Sequence, residues 1–279
     1  MTHFLSQKNY QEPFPENTNE VILSFDDDST FNPNEINFPN SVTDLTLNGT
    51  ILTNWSPNLK KLTLNIEQEQ LDSITFPNTI HELEFDNYTP LTIKKFPNNL
   101  KKLKVRKLIS LEVDCLPMLE SLDVSLDKNS EKLDVNFLPV TLKFLRIDNW
   151  IYRQKPEHYD FSNLPESLET LQLRGVSYDY IPSTIENVIL ESVTPTDKNM
   201  LYTQPRKYLE INFTNSHLNC TLKVENVKSL KVFTSGSLRT LICDSLLEKL
   251  DAYNVQNIII PSKIEDMKVS NDANIHFSN

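Results

Sequence analysis

FPNTIHELEFDNYTPLTIKKFPNNLKKLKV, residues 76–105, contains Phe-Pro-Asn twice, with Phe76-Pro77 and Phe96-Pro97 twenty positions apart. Each is followed by an apolar residue, two polar ones and then Leu-x-apolar: Ile80 before Leu83 and Phe85, Leu100 before Leu103 and Val105. The intervening charges reverse, from Glu82, Glu84 and Asp86 to Lys102, Lys104 and Arg106. A frame that repeats while its charges change sign points to stacked copies of one supersecondary unit.

The frame recurs along the chain. It reads FPNSVTDLTL (38–47), SPNLKKLTL (56–64), LPMLESLDV (116–124), LPVTLKFLRI (138–147), LPESLETLQL (164–173) and IPSTIENVIL (181–190). Weaker copies are FPENTNEVIL (14–23), QPRKYLEI (204–211) and IPSKIEDMKV (260–269), with two lacking proline around Leu230 and Leu250. These make about thirteen coils, most about twenty residues long. Half a period away lies a second short signal, as in Leu91-Thr92-Ile93, Leu111-Glu112-Val113 and Leu133-Asp134-Val135. Each coil therefore carries two extended stretches and two bends. Proline fixes φ and donates no ladder hydrogen bond, so the Pro step suits a corner. So short a coil leaves little room for helix. Leu-x-Leu alternation puts the apolar members on one side, and no coil can bury that side alone, so the copies must stack. Residues 14–269 are read as one solenoid domain, with 1–13 and 270–279 as tails or caps.

The LPxxLxxLxL frame with a period near twenty resembles the leucine-rich-repeat superfamily, and its Pro-Asn/Glu-Ser openings look especially like FNIP repeats and short bacterial-type repeats. FNPNEINFPNSVTDLTLNG (31–49) is closest to the FNIP pattern. The chain departs from the common pattern three residues after the last strand apolar residue, where an Asn usually ladders the backbone. That slot holds Thr50, Tyr88, Leu108, Trp150, Val176 and Val193. The resemblance implies a leucine-rich-repeat solenoid, a right-handed superhelix or horseshoe. It would have a curved parallel β-sheet on the concave side, and mostly extended segments and turns, with little helix, on the convex side. It also implies protein binding across the concave sheet. Relatives with such repeats often carry an F-box or ligase domain; neither is expected in the segments outside these repeats, so a substrate-receptor role would take its adaptor from another chain. A substrate-recognition subunit of a ubiquitin-ligase-type assembly, or a host-directed effector, is the alternative reading.

Composition narrows the function classes. The net charge of -11 and pI near 5.0 oppose a general nucleic-acid-binding role, because an acidic surface repels phosphates. There is no apolar run long enough to span a bilayer and no basic-then-apolar N-terminus, so neither membrane insertion nor a signal peptide is expected. Three widely spaced cysteines, Cys115, Cys220 and Cys243, fit reduced thiols in a cytoplasmic protein. The five Asn-x-Ser/Thr sequons, at Asn48, Asn54, Asn87, Asn212 and Asn219, are no more than chance supplies.

No constellation of catalytic residues stands out. The five histidines, at 3, 81, 158, 217 and 276, are scattered. The three glycines, at 49, 175 and 236, are isolated and form no phosphate loop. Asp26-Asp27-Asp28 lacks the alternating ligand spacing of a calcium loop and reads as a solvated loop. No catalytic residue, metal or cofactor is expected.

In a parallel solenoid, residues one period apart are lateral neighbours about 4.8 Å apart in backbone. Glu82 should lie beside Lys102, Glu84 beside Lys104 and Asp86 beside Arg106. Further on, Lys104 should meet Asp123, and Asp123 should meet Arg146. Opposite charges in such pairs stabilise by about 0.2–1 kcal/mol. Self-neutralisation of the sheet thus explains the sign reversal, with partner recognition by these charges as the second reading.

A binding surface is better sought where the outward row stops being self-paired. From the seventh coil it reads Phe144, Arg146, Asp148, then Thr170, Gln172, Arg174, then Asn187, Ile189, Glu191, then Tyr208, Glu210, Asn212. Aromatic and Arg residues favour interface cores. The candidate contact residues are Phe144, Arg146, Gln172, Arg174, Ile189 and Tyr208, joined by Tyr152, Arg153 and Tyr159 from the long stretch 148–163, where His158 also lies. This stretch and 191–208 either extend the face or fold over it. The expected product is a monomeric, non-enzymatic module that binds a protein of unknown identity. Self-association through exposed end coils is a third reading.

Overall fold

The computed structural model describes residues 2–5, 14–15, 17–24, 35–87, 89–111, 116–126, 129–149, 157–193, 199–213, 217–270 and 272–278. The chain is a parallel β-solenoid with almost no helix, divided into two compact units, Met1–Leu142 and Lys143–Asn279.

In the first unit, the Leu-x-apolar segments form a row of parallel strands. These are Thr2–Leu5, Glu20–Ser24, Asp44–Asn48, Lys61–Asn65, Glu82–Phe85, the first half of Lys102–Leu111, and Ser121–Leu126. The pairing keeps the repeat in register. Leu45, Leu62, Leu83, Leu103 and Leu122 stack as one column, and Leu47, Leu64, Phe85, Val105 and Val124 as the next. Every one of them is buried. Each contributes about 1.5–3 kcal/mol relative to an exposed side chain.

The Pro step is a four-residue turn that closes on a buried apolar residue. Val42, Ile80 and Leu100 donate their N–H to the carbonyls of Pro39, Pro77 and Pro97, at 3.1, 3.3 and 3.2 Å. In the copies one residue shorter, Leu59 and Leu119 bond to Ser56 and Leu116, both at 3.2 Å, and proline moves to the second turn position. A type I or II turn accepts proline there. The turn ends at the same core slot either way, so insertion of one residue does not disturb the register. Asparagines link successive turns: Asn58 Nδ2 donates to the Asn40 carbonyl and Asn99 Nδ2 to the Asn78 carbonyl, both at 2.9 Å.

The bend after the strand needs a different residue. Gly49 (φ 68°), Gly175 (φ 64°), Ser192 (φ 59°) and Asn254 (φ 59°) all stand two positions after the last strand apolar residue. This is left-handed backbone, where Gly and Asn carry little steric cost. Asn87 and Asn149 occupy the same slot and are buried. Asn87 Nδ2 donates to the Ile66 carbonyl, and Asn254 Nδ2 to the Thr234 carbonyl at 2.7 Å. The backbone-binding Asn therefore lies one residue earlier than the slot held by Tyr88 and Trp150.

Second-row strands in this unit are Leu91–Ile93 and the far half of Lys102–Leu111. One coil earlier, the α-helix Gln68–Ser73 takes that place. The Gln68 side-chain amide imitates a strand edge, accepting from Thr92 N–H at 2.9 Å and donating to the Thr92 carbonyl at 3.0 Å. A 3₁₀ turn also spans Val135–Phe137.

In the second unit, the first row runs through Phe144–Asp148, Thr170–Arg174, Asn187–Val193, Arg206–Phe213, Val227–Cys243, Lys249–Pro261 and Asp266–Val269. A second row runs through Asn199–Tyr202, His217–Val224, the far halves of Val227–Cys243 and Lys249–Pro261, and Asn274–Ser278. Glu157–Tyr159 and Val176–Tyr178 form a separate parallel pair.

Arg206 stands in the slot that holds Ile185 one coil earlier and Val227 one coil later. It is buried, and its guanidinium donates to the carbonyls of Ile181, Pro182, Ile185 and Pro205 at 2.8–3.2 Å. A cation is tolerated in this core slot because it gathers four carbonyl oxygens.

Candidate functional site

The charges of the opening segment pair as the register requires. Lys102 Nζ lies 2.6 Å from Glu82 Oε1, Lys104 Nζ 2.5 Å from Glu84 Oε1, and Arg106 Nη1 2.8 Å from Asp86 Oδ1. Lys104 and Asp123 are register neighbours. This part of the first unit neutralises itself.

In the second unit, the register gives three lines on the side of the sheet away from the apolar columns. The first is Phe144, Thr170, Asn187, Tyr208 and Ser229; the second Arg146, Gln172, Ile189, Glu210, Lys231 and Asp251. The third is Asp148, Arg174, Glu191, Asn212, Phe233 and Tyr253. Phe144, Arg146, Gln172, Arg174, Ile189 and Tyr208 thus share one face, all of them half-buried.

The charges here do not stop being paired, contrary to the sequence expectation: Arg174 pairs laterally in register with Asp148 and Glu191, and Arg146 adds a pair along its own strand. Asp148 receives Arg146 Nη2 at 3.0 Å from its own strand and Arg174 Nη1 at 3.5 Å from the next. Arg174 Nε also lies 3.7 Å from Glu191 Oε2, and Gln172 Nε2 donates to Glu191 Oε1. Comparing only equivalent positions one period apart misses pairs made along a strand or diagonally.

A second network centres on Glu210. Tyr208 Oη donates to its Oε2 at 2.6 Å, while Lys231 Nζ and Asn212 Nδ2 donate to Oε1 at 3.0 and 3.2 Å. Burial alone would raise the Glu210 pKa, but the bonds from Tyr208, Lys231 and Asn212 outweigh it and hold the carboxyl below its usual range. Burial, the bond to Glu210 and the charges of Glu210 and Asp251 push the Tyr208 hydroxyl well above the usual phenol range, so it remains a donor at neutral pH. Ile189 is flanked in its line by Gln172 and Glu210, so the two networks fix the polar groups on either side of an apolar side chain.

Phe233 and Tyr253 extend this face beyond the residues named from sequence. Phe233 is 44% exposed, and the two rings lie 6.5 Å apart at 51°. The sequence carries the signal, since SLKVF and KLDAY keep the Leu-x-apolar frame, but no Pro step marks their turns.

Tyr159 does not belong to the surface. It is fully buried, stacked on Phe161 at 5.5 Å and 7°, because the Glu157–Tyr159 strand turns it inward. Its neighbour His158 is not isolated. His158 Nε2 lies 3.3 Å from Asp179 Oδ2, and Nδ1 lies 3.4 Å from Ser177 Oγ. Asp179 is 90% exposed, so its charge is screened by water rather than focused on the imidazole. Tyr152, Arg153, Trp150, Cys115 and Asp26–Asp28 lie outside the described residues, as do parts of both long stretches. Among the described residues no group of three or more His, Cys, Asp or Glu is arranged to hold a metal, and no helix is long and apolar enough to cross a membrane.

No family model matches the chain, and no curated protein matches it significantly.

Proposed function

We propose that this chain is a non-enzymatic, leucine-rich-repeat-type module that binds another protein through the first-row face of its second unit, in the cytoplasm. Supporting the class are the LPxxLxxLxL frame and the solenoid built from it. One observation carries the site: Phe144, Ile189, Tyr208, Phe233 and Tyr253 stand on one sheet face among polar groups already locked by Asp148, Glu191 and Glu210. A partner settling there meets ordered side chains, so association costs little further side-chain entropy. Aromatic anchors at the centre supply the buried area that dominates interface energies. In the leucine-rich repeats that the frame resembles, the equivalent face is the concave sheet. The net charge of -11 favours a protein over a nucleic-acid partner.

The test is affinity capture from the native cell with wild type and the Phe144→Ala/Tyr208→Ala double variant. Selective loss of captured proteins from the variant supports the reading. Identical sets from both contradict it.

A further inference from the structure

Lys231 and Phe233 stand two apart on one strand, and their register partners Asp251 and Tyr253 stand two apart on the next, all four on the solvent side. Lys231 does not turn toward Asp251. Its Nζ is drawn back to Glu210, 3.0 Å away, in the preceding coil. Asp251 is left with no cation at ion-pair distance among the described residues, although Lys268 follows it in register. Its charge still acts on this corner, since it helps hold the Tyr208 proton in place. Lys231 is thus taken by Glu210, and Asp251, in register between Lys231 and Lys268 but ion-paired to neither, stands beside two aromatic rings. The rings are tilted at 51° rather than stacked, so neither covers the face of the other, and Phe233 is 44% exposed.

From this block we infer that Phe233, Tyr253 and Asp251 seat an arginine side chain carried by the protein partner. The inference rests on the reading above and names the chemistry the partner presents. An aromatic face is electron-rich and attracts a cation within about 6 Å of the ring. A guanidinium can lie flat against a ring while its N–H fork donates to a carboxylate at its edge, which a compact ammonium does less well. The unpaired carboxylate is what separates this block from an ordinary apolar contact. A neutral partner would bury it without a donor, at a cost, whereas a guanidinium supplies both charge and hydrogen bonds. The acidic character of the chain adds long-range attraction for a basic segment.

The probe is the capped tripeptide acetyl-Gly-Arg-Gly-amide, titrated into the full ¹⁵N-labelled chain against its citrulline counterpart, which keeps the shape and removes the charge. The expected result is saturable shifts centred on the Phe233, Asp251 and Tyr253 amides, with arginine bound about tenfold more tightly than citrulline. Asp251→Asn should remove most of that preference. Phe233→Leu/Tyr253→Leu, which retains apolar area but not the ring faces, should weaken binding of the arginine peptide severalfold while hardly affecting citrulline. Equal binding of both peptides, absence of shifts at these three residues, or full arginine preference in the leucine variant would overturn the inference. The peptide comparison on wild type decides the matter even if a variant folds poorly. Because no natural partner is involved, failure here leaves the general partner-binding reading to its own capture test.

Discussion

Lys104 Nζ lies 2.5 Å from Glu84 Oε1, two residues twenty positions apart in sequence that the parallel register sets side by side. The pair is partly exposed, with side-chain exposures of 52% and 25%, so screening limits its worth to about 1 kcal/mol or less. Glu84→Lys replaces attraction by repulsion and should lower Tm by about 2–4 °C. Adding Lys104→Glu should restore much of the loss. A thermal double-mutant cycle checks this; additive effects would show that the two charges do not interact.

Arg206 gives a larger and different effect. Truncation to Ala leaves carbonyls of the Ile181–Ile185 turn without a donor and opens a hole in a core slot. The expected destabilisation is about 3 kcal/mol or more. Lys should rescue only part of it, because one ammonium cannot reproduce the planar fork. Replacement by Leu, the usual occupant of that slot, separates filling the core from serving the carbonyls. Chemical denaturation of the three variants ranks these contributions.

The Glu210 network makes stability depend on pH. The folded carboxyl is held below its usual range, so its contribution is complete above the unfolded-chain value of about 4.3 and is lost as pH falls through the lower folded value. Glu210→Gln should reduce stability by about 1–2 kcal/mol at pH 7. The gap between variant and wild type should shrink as pH falls below about 4. Thermal melts of both proteins across pH 7 to 3 measure it, and a gap that stays constant would remove Glu210 from this role.

Cys243 is buried, and burial together with the Asp244 charge pushes its thiol up to about 12. Cys220 is buried as well, and burial raises its pKa. The thiolate is the reactive form, so neither residue should be alkylated by iodoacetamide at pH 8 in the native protein, and both should react after denaturation. Peptide mapping by mass spectrometry resolves each site.

How much of this was legible depends on whether a feature follows the repeat. The apolar columns were, because Leu83 and Leu103 sit at equal offsets from their prolines. So was the Glu82–Lys102 ladder, since parallel pairing links residues one period apart. The Asp148 cluster was legible only in part: Asp148–Arg174 and Arg174–Glu191 are register pairs one period apart, whereas Arg146 reaches along its own strand, and that reach leaves no mark on sequence spacing. Tyr159 was misplaced because it lies in an extra-long coil, where counting from the Pro step no longer gives the inward or outward sense of a strand. Phe233 and Tyr253 escaped because they follow coils whose turns lack proline, although their Leu-x-apolar frame is intact.

The most direct test of the account sets the two units against each other in one capture experiment from native cells. Phe144→Ala/Tyr208→Ala alters the proposed face of the second unit; Lys102→Ala/Lys104→Ala alters the self-paired ladder of the first. The account predicts that captured proteins are lost with the first variant and retained with the second, both variants remaining folded by circular dichroism. Retention with the first and loss with the second would contradict it.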